Sequence, residues 1–335
     1  MKTSKIVACA IAVTAALGLA SCSGGESTTT SDATAATTTV KAAEGAFPVS
    51  IETKFGEVTI TEQPQRVVAL GWGDAETALS LGIQPVGVSD WLGFGGNGVG
   101  PWVSEEFEQS PEILGTTELK YEAIAALQPD LILDVRSSGD QDRYNTLSAI
   151  APVVGVPADG DNWLTTREQQ VTMIAAALGK QAEGTQQLAD LDARIESIAS
   201  AHPQWSQRSV SVLAKTSEAW GAYKSGDARM DLLLDLGFQE NPWVAAEGEK
   251  NDSFYVTVSA ENLSQTNSDI VFALPIGVSA QELEADAAWR ALPAVTDGKY
   301  VVVDGELAQA FSIGTVEATN YALDILEPQL AELAG

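Results

Sequence analysis

One histidine and eight tryptophans narrow the chemistry this 335-residue sequence can support. His202 directly precedes Pro203 and reads as a surface or capping residue. A carrier of bare zinc or manganese needs several imidazole or carboxylate ligands around one cation, and a single imidazole does not supply them. A Ser-His-Asp triad would have to use the same His202, and no Gly-x-Ser-x-Gly elbow is present. Asp227 and Asp231 could pair as glycosidase carboxylates, but among 46 acidic residues such pairs arise by accident. The glycine-rich run Gly93-Phe94-Gly95-Gly96-Asn97-Gly98 lacks the Lys-Ser/Thr of a phosphate loop and the spacing of a dinucleotide fingerprint; it reads as a mobile loop. Enzyme readings are disfavoured, and no cofactor or resident metal is called for.

Large aromatics and two cations remain. Trp72, Trp91, Trp102, Trp220, Tyr223 and Phe311 stand just beyond strand-like runs. Flat aromatic faces suit a bulky, partly apolar ligand through dispersion and buried area. Arg136 follows the run Leu131 to Val135, where a guanidinium could meet an anionic oxygen, and Lys215 is its counterpart in the second half of the chain. The alternatives stay open: any one tryptophan could be core, and either cation could belong to a surface ion pair.

The elements that must position these residues alternate strand and helix. Arg66 to Leu70 reads as a buried parallel strand turning through Gly71-Trp72-Gly73-Asp74 into a helix from Ala75 to Leu81. Strands at Pro85–Val88, Asp130–Val135 and Pro152–Val156, with a helix over Tyr121–Leu127, complete a first α/β half. Helical spacing over 165–201, interrupted near Gly179 and Gly184, predicts a long helical connection. A second half follows, with strands at Ser209–Leu213, Ile270–Ala273 and Tyr300–Val303 and a helix at Met230–Leu236. Leu81-Gly82-Ile83, Glu122 and Asp130 in the first half are matched by Leu236-Gly237-Phe238, Glu261 and Asp269 in the second. The fold expected is α/β with two helix-wrapped sheet lobes, over 46–164 and 204–335, joined by a long helix over 165–203.

The N-terminus has a different character. Met1 to Lys5 precede an apolar run from Ile6 to Ala20, too short to span a bilayer but suited to a secretory leader over 1–21. Leu19-Ala20-Ser21-Cys22 resembles the lipobox of bacterial lipoproteins, which implies cleavage before Cys22, a lipid on its sulfur and an extracytoplasmic protein anchored to the cell membrane. Cys9 leaves with the leader, so neither a disulfide framework nor a free thiol is expected in the mature chain. The Ser/Thr/Ala/Gly-rich stretch after Cys22, to about residue 45, reads as a flexible tether. No later run approaches 18 apolar residues, so a soluble body of two ordinary-sized lobes is expected. The net charge of −28 makes nucleic acid and anionic lipid poor partners.

Several runs together resemble the periplasmic binding proteins for iron-siderophores and cobalamin. They are Pro64 to Val68, Leu81 to Val88, Tyr121 to Leu133 and Trp289-Arg290-Ala291-Leu292-Pro293-Ala294-Val295, and the likeness runs from about residue 50 to the end. The resemblance implies two lobes bridged by one stiff helix that close little on ligand, with the ligand in the cleft between them. It implies a monomer that delivers a ferric siderophore to the permease subunits of an ABC transporter, with cobalamin or haem as rival cargo and an envelope enzyme or interaction protein on the same fold as a distant rival. Few cations and many aromatics favour a hydroxamate or mixed chelate over a strongly anionic catecholate. Glu122 and Glu261 occupy the positions at which the family presents one glutamate per lobe to its permease. From their own sequence context, both could equally be acids favoured at a helix start.

Overall fold

The computed structural model describes residues 45–160, 162–250 and 253–334. The leader, Cys22 and the tether up to residue 44 lie outside them. The described chain opens on an antiparallel hairpin, β1 (Val49–Thr53) with β2 (Gly56–Ile60). Next come β3 (Val67–Ala69), α1 (Asp74–Ser80), β4 (Gly87–Val88), β5 (Glu112–Ile113), α2 (Tyr121–Ala126), β6 (Leu131–Leu133), α3 (Gln141–Ser148) and β7 (Val153–Val154). The five strands after the hairpin form a sheet in the order β5-β4-β3-β6-β7, every neighbour parallel. Strands β3 and β6 are buried along their whole length because apolar side chains cover both faces. Val67, Ala69, Leu131 and Leu133 pack into one cluster, and Val68, Leu70 and Ile132 into another with Ile124 and Leu147.

The long helical segment divides into α4 (Arg167–Leu178) and α5 (Gln181–Ala201). Gly179 ends α4 with φ 68, a left-handed cap that glycine adopts without a Cβ penalty. Gly184 does not interrupt α5; it lies against Ala175 and Val171, where a Cβ would crowd α4. Helix α4 buries Met173, Ile174, Ala177 and Leu178 in the first lobe. Gln187 of α5 donates to the Ser80 carbonyl of that lobe at 2.9 Å, whereas Leu191, Ile195 and Ile198 enter the core of the second. One helix therefore crosses from lobe to lobe.

The second lobe runs β8 (Ser209–Lys215), β9 (Trp220–Tyr223), α6 (Ala228–Asp235), β10 (Gln239–Glu240), α7 (Pro242–Gly248), β11 (Tyr255–Val258) and β12 (Ile270–Pro275). It continues through three short helices, α8 (Ala280–Ala285), α9 (Ala287–Arg290) and α10 (Pro293–Thr296), to β13 (Tyr300–Val302), α11 (Gly305–Ile313) and α12 (Val316–Leu333). Its sheet has the order β11-β9-β8-β12-β13, with β10 also paired to β8. Strands β8, β12 and β13 are parallel, but β9 runs antiparallel to both β8 and β11. The sequence reading contains β8, β12 and β13 and lacks β9, β10 and β11, of which β10 is parallel to β8. The inserted reversal at β9 decides which residues of this lobe reach the cleft.

The lobes are tied at several points. Buried Glu76 accepts bonds from Gly100 N at 3.1 Å and Trp102 Nε1 at 3.0 Å within its own lobe, and from Thr315 Oγ1 at 2.7 Å in the other. Ser104 Oγ donates to Glu317 at 2.6 Å. At Gly73, φ is 82 and a Cβ would come within 2.8 Å of Thr315 Cγ2, so both the backbone and the lobe contact require glycine.

Candidate functional site

A cavity of about 180 Å³ lies between the lobes, lined by Trp72, Trp91, Arg136 and Trp163 from the first and by Asp227, Arg229, Phe254 and Ser312 from the second. The first-lobe residues follow from the parallel sheet. Trp72, Trp91 and Arg136 stand three residues beyond β3, β4 and β6, outside the carboxyl ends where open α/β sheets hold ligands. Trp72 stacks on Trp91 with centroids 5.6 Å apart, and Trp163 meets Trp91 edge-on at 6.3 Å. Trp91 Nε1 donates to the Leu70 carbonyl at 2.9 Å, which fixes that ring. The indole N–H groups of Trp72 and Trp163 are buried with no hydrogen-bond partner among the described residues.

Trp163 follows Asn162, and both have positive φ, 61 and 48, a costly conformation for a bulky residue. It is held by its own N–H to the Ser137 carbonyl at 2.9 Å and by Arg136 Nε, which donates to the Trp163 carbonyl at 3.2 Å. Arg136 Nη1 donates to the Ile313 carbonyl of the second lobe at 2.7 Å, and its guanidinium carbon lies 6.0 Å from the Trp72 ring centroid. Burial pulls the Arg136 pKa down to about 10, with Asp227 opposing, so it stays charged at neutral pH.

The second-lobe wall is built around α6. Asp227 caps that helix by accepting from Arg229 N at 3.0 Å, and its two oxygens also take Arg229 Nη1 at 2.8 and 2.6 Å. Arg229 Nε donates to Ser312 Oγ at 3.2 Å, and the guanidinium lies 3.9 Å over the Tyr223 ring. Burial pulls the Arg229 pKa down, and Asp227 together with Tyr223 more than restores it, leaving the group raised. Arg136 and Arg229 are each 6% exposed.

Of the sequence-derived candidates, Trp72, Trp91 and Arg136 come together here, and Tyr223 lies beneath Arg229. The structure does not bring Trp102, Lys215, Trp220 and Phe311 to this cavity. Trp102 is wedged between the lobes, bonded to Glu76 and 5.6 Å from Tyr321. Trp220 lies on a strand rather than a loop, 3% exposed and stacked on Trp289. Lys215, the last residue of β8, pairs with Asp286 at 3.1 Å. Phe311 points into the core against Phe272, while its neighbour Ser312 lines the cavity.

Trp163, Arg229, Phe254, Ser312 and the cleft role of Asp227 are absent from the sequence reading. The one available signal was Asp227 as a helix N-cap, which places Arg229 in the first turn of α6. His202 stacks on Trp205 at 4.2 Å, at the end of α5. Glu122 is exposed in the first turn of α2. Glu261 is exposed too, but in a turn ahead of a short 3-10 helix (Leu263–Thr266), so it does not start an α-helix.

Known proteins share this fold. The chain is 28% identical over 329 residues to the Bacillus subtilis protein named "Probable siderophore-binding lipoprotein YfiY", covering 93% of this chain and 94% of that one. It superposes on Streptococcus pneumoniae PiaA in complex with ferrichrome with a TM-score of 0.72 at 26% identity, over 85% of this chain and 98% of that one. A periplasmic solute binding protein from Mycobacterium smegmatis matches with a TM-score of 0.70 at 28% identity, over 86% and 99% of the two chains. Residues 67–307 match the periplasmic binding protein family over most of the chain, and the protein therefore belongs to that family of solute-binding proteins rather than enzymes.

Proposed function

We propose that this protein is an extracytoplasmic receptor, anchored by lipid at Cys22, that holds a ferric siderophore between its lobes and presents it to an ABC permease. The observation that carries this reading is the cleft itself: Trp72, Trp91, Trp163 and Phe254 face a buried pair of guanidiniums in one small cavity. Indole faces match the apolar flank of an iron chelate, and the arginines match its oxygens. A metal already saturated by an organic chelator needs no protein ligand. The siderophore named for PiaA and the siderophore binding named for the Bacillus relative support the same cargo class. Exposed Glu122 and Glu261, one on each lobe, are the groups that would meet a two-subunit permease.

The test is quenching of tryptophan fluorescence by ferric hydroxamates, ferric catecholates, haem and cobalamin. Saturable quenching by a ferric chelate is expected. A response to haem or cobalamin alone, or to none of the four, would refute the siderophore reading.

A further inference from the structure

The cleft's formal charges are few enough to count. Among its lining residues only Arg136, Arg229 and Asp227 are ionisable; the others are aromatic or hydroxyl-bearing. Asp227 gives both carboxylate oxygens to Arg229 and is itself only 4% exposed, so this ion pair is internally neutralised. Arg136 has carbonyl partners, at Trp163 and Ile313, and no carboxylate bonded to it among the described residues. The lining therefore carries a net formal charge of +1, two guanidiniums against one carboxylate that acts on both, inside a protein whose net charge is −28.

We propose that Asp227 sets the charge of the cargo: by neutralising Arg229 it leaves the cleft matched to a neutral or singly anionic ferric chelate, and it discriminates against a triply anionic triscatecholate. This rests on the siderophore reading above. In a buried site each unmatched unit of charge acts at low effective dielectric, so one carboxylate a few ångströms from the ligand shifts relative affinities strongly. Selection of this kind works by repulsion of the wrong ligand as much as by attraction of the right one.

The experiment titrates wild type, Asp227→Asn and the double variant Asp227→Asn/Arg229→Gln by tryptophan quenching. The probes are a neutral ferric trihydroxamate and a triply anionic ferric triscatecholate, and the quantity read is the ratio of their dissociation constants. Because a general disturbance of the cleft weakens both probes, the ratio isolates charge. Wild type should prefer the trihydroxamate. Asp227→Asn should shift the ratio toward the triscatecholate by about tenfold or more, and the double variant should bring it back toward wild type. Asparagine keeps the helix cap; if it prevents folding, Asp227→Ser retains a capping oxygen and must give the same shift. An unshifted ratio in a folded variant, or wild-type preference for the triscatecholate, overturns the proposal while leaving the siderophore reading standing. Failure of wild type to bind either probe overturns both.

Discussion

Arg136 reaches from the first lobe to the second, donating from Nη1 to the carbonyl of Ile313 at 2.7 Å while its Nε holds the carbonyl of Trp163. One side chain thus links the lobes, pins a tryptophan in left-handed backbone and supplies one of the cleft's two positive charges. Arg136→Gln should lower unfolding stability by about 2–3 kcal/mol, the scale of hydrogen bonds made by a charged donor. It should also weaken ferric chelate binding. Urea unfolding and fluorescence titration read the two effects separately; loss of one without the other would break the link.

The aromatics divide into two groups with different phenotypes. Trp72→Ala, Trp91→Ala and Trp163→Ala should each weaken cargo binding by about 2–4 kcal/mol, as truncation of a buried contact aromatic does. Trp220→Ala and Phe311→Ala should instead cost about 3–5 kcal/mol of stability, because they empty core volume beside Trp289 and Phe272. Any Trp220→Ala or Phe311→Ala protein that remains folded should bind chelate at close to wild-type affinity.

Asp74 gives a pH signature. Its carboxylate is fully buried and accepts from Val135 N at 2.8 Å and Gln170 Nε2 at 2.6 Å; burial, against those bonds, pushes its pKa up to about 6 from 3.8. A folded pKa above the unfolded one means the native state binds the extra proton between those values. This contribution to stability is absent above about pH 6, grows as pH falls through 6 and is complete below 3.8. Asp231, raised to about 6 mainly by burial, acts in the same direction. Comparing wild type with Asp74→Asn isolates the first group: the variant should show a flatter dependence of unfolding free energy between pH 4 and about 6.5. Equal slopes would remove Asp74 as the source.

Attachment and delivery are separable. Cys22→Ala should move the protein from the membrane fraction to the soluble one, since the proposed thioether requires that sulfur. Detergent-phase partitioning identical to wild type would contradict lipidation there.

Glu122→Ala with Glu261→Ala should bind cargo normally and melt within a few degrees of wild type while failing to support import, because exposed acids that meet arginines act on complex formation. Normal uptake at equal surface abundance would assign them a purely local role.

The first lobe was far more legible in the sequence than the second. Its sheet is wholly parallel, so the residues just beyond β3, β4 and β6 converge on one crevice, and Trp72, Trp91 and Arg136 could be placed from their neighbours alone. In the second lobe β9 turns back along β8, so Trp220 pairs with Lys215 at the carboxyl end of β8 and residues after Tyr223 line the cavity instead. Nothing local in Trp220-Gly221-Ala222-Tyr223 announces that reversal, since four residues with little alternation read equally as loop. Phe311 and Ser312 show a finer limit: both lie on α11, a helix absent from the sequence reading, where one step turns a side chain by about 100°. Trp163 depends on two successive left-handed residues, which pattern reading does not anticipate for a tryptophan.

The cavity's size has a consequence of its own. At about 180 Å³ it is smaller than the ~300–1,000 Å³ sites that engulf a drug-sized molecule. A chelate seated on these indoles would leave much of its periphery in water. The receptor would then grade its guests by the face they turn inward, and chelators of unrelated outline that offer the same inner face would compete for one seat.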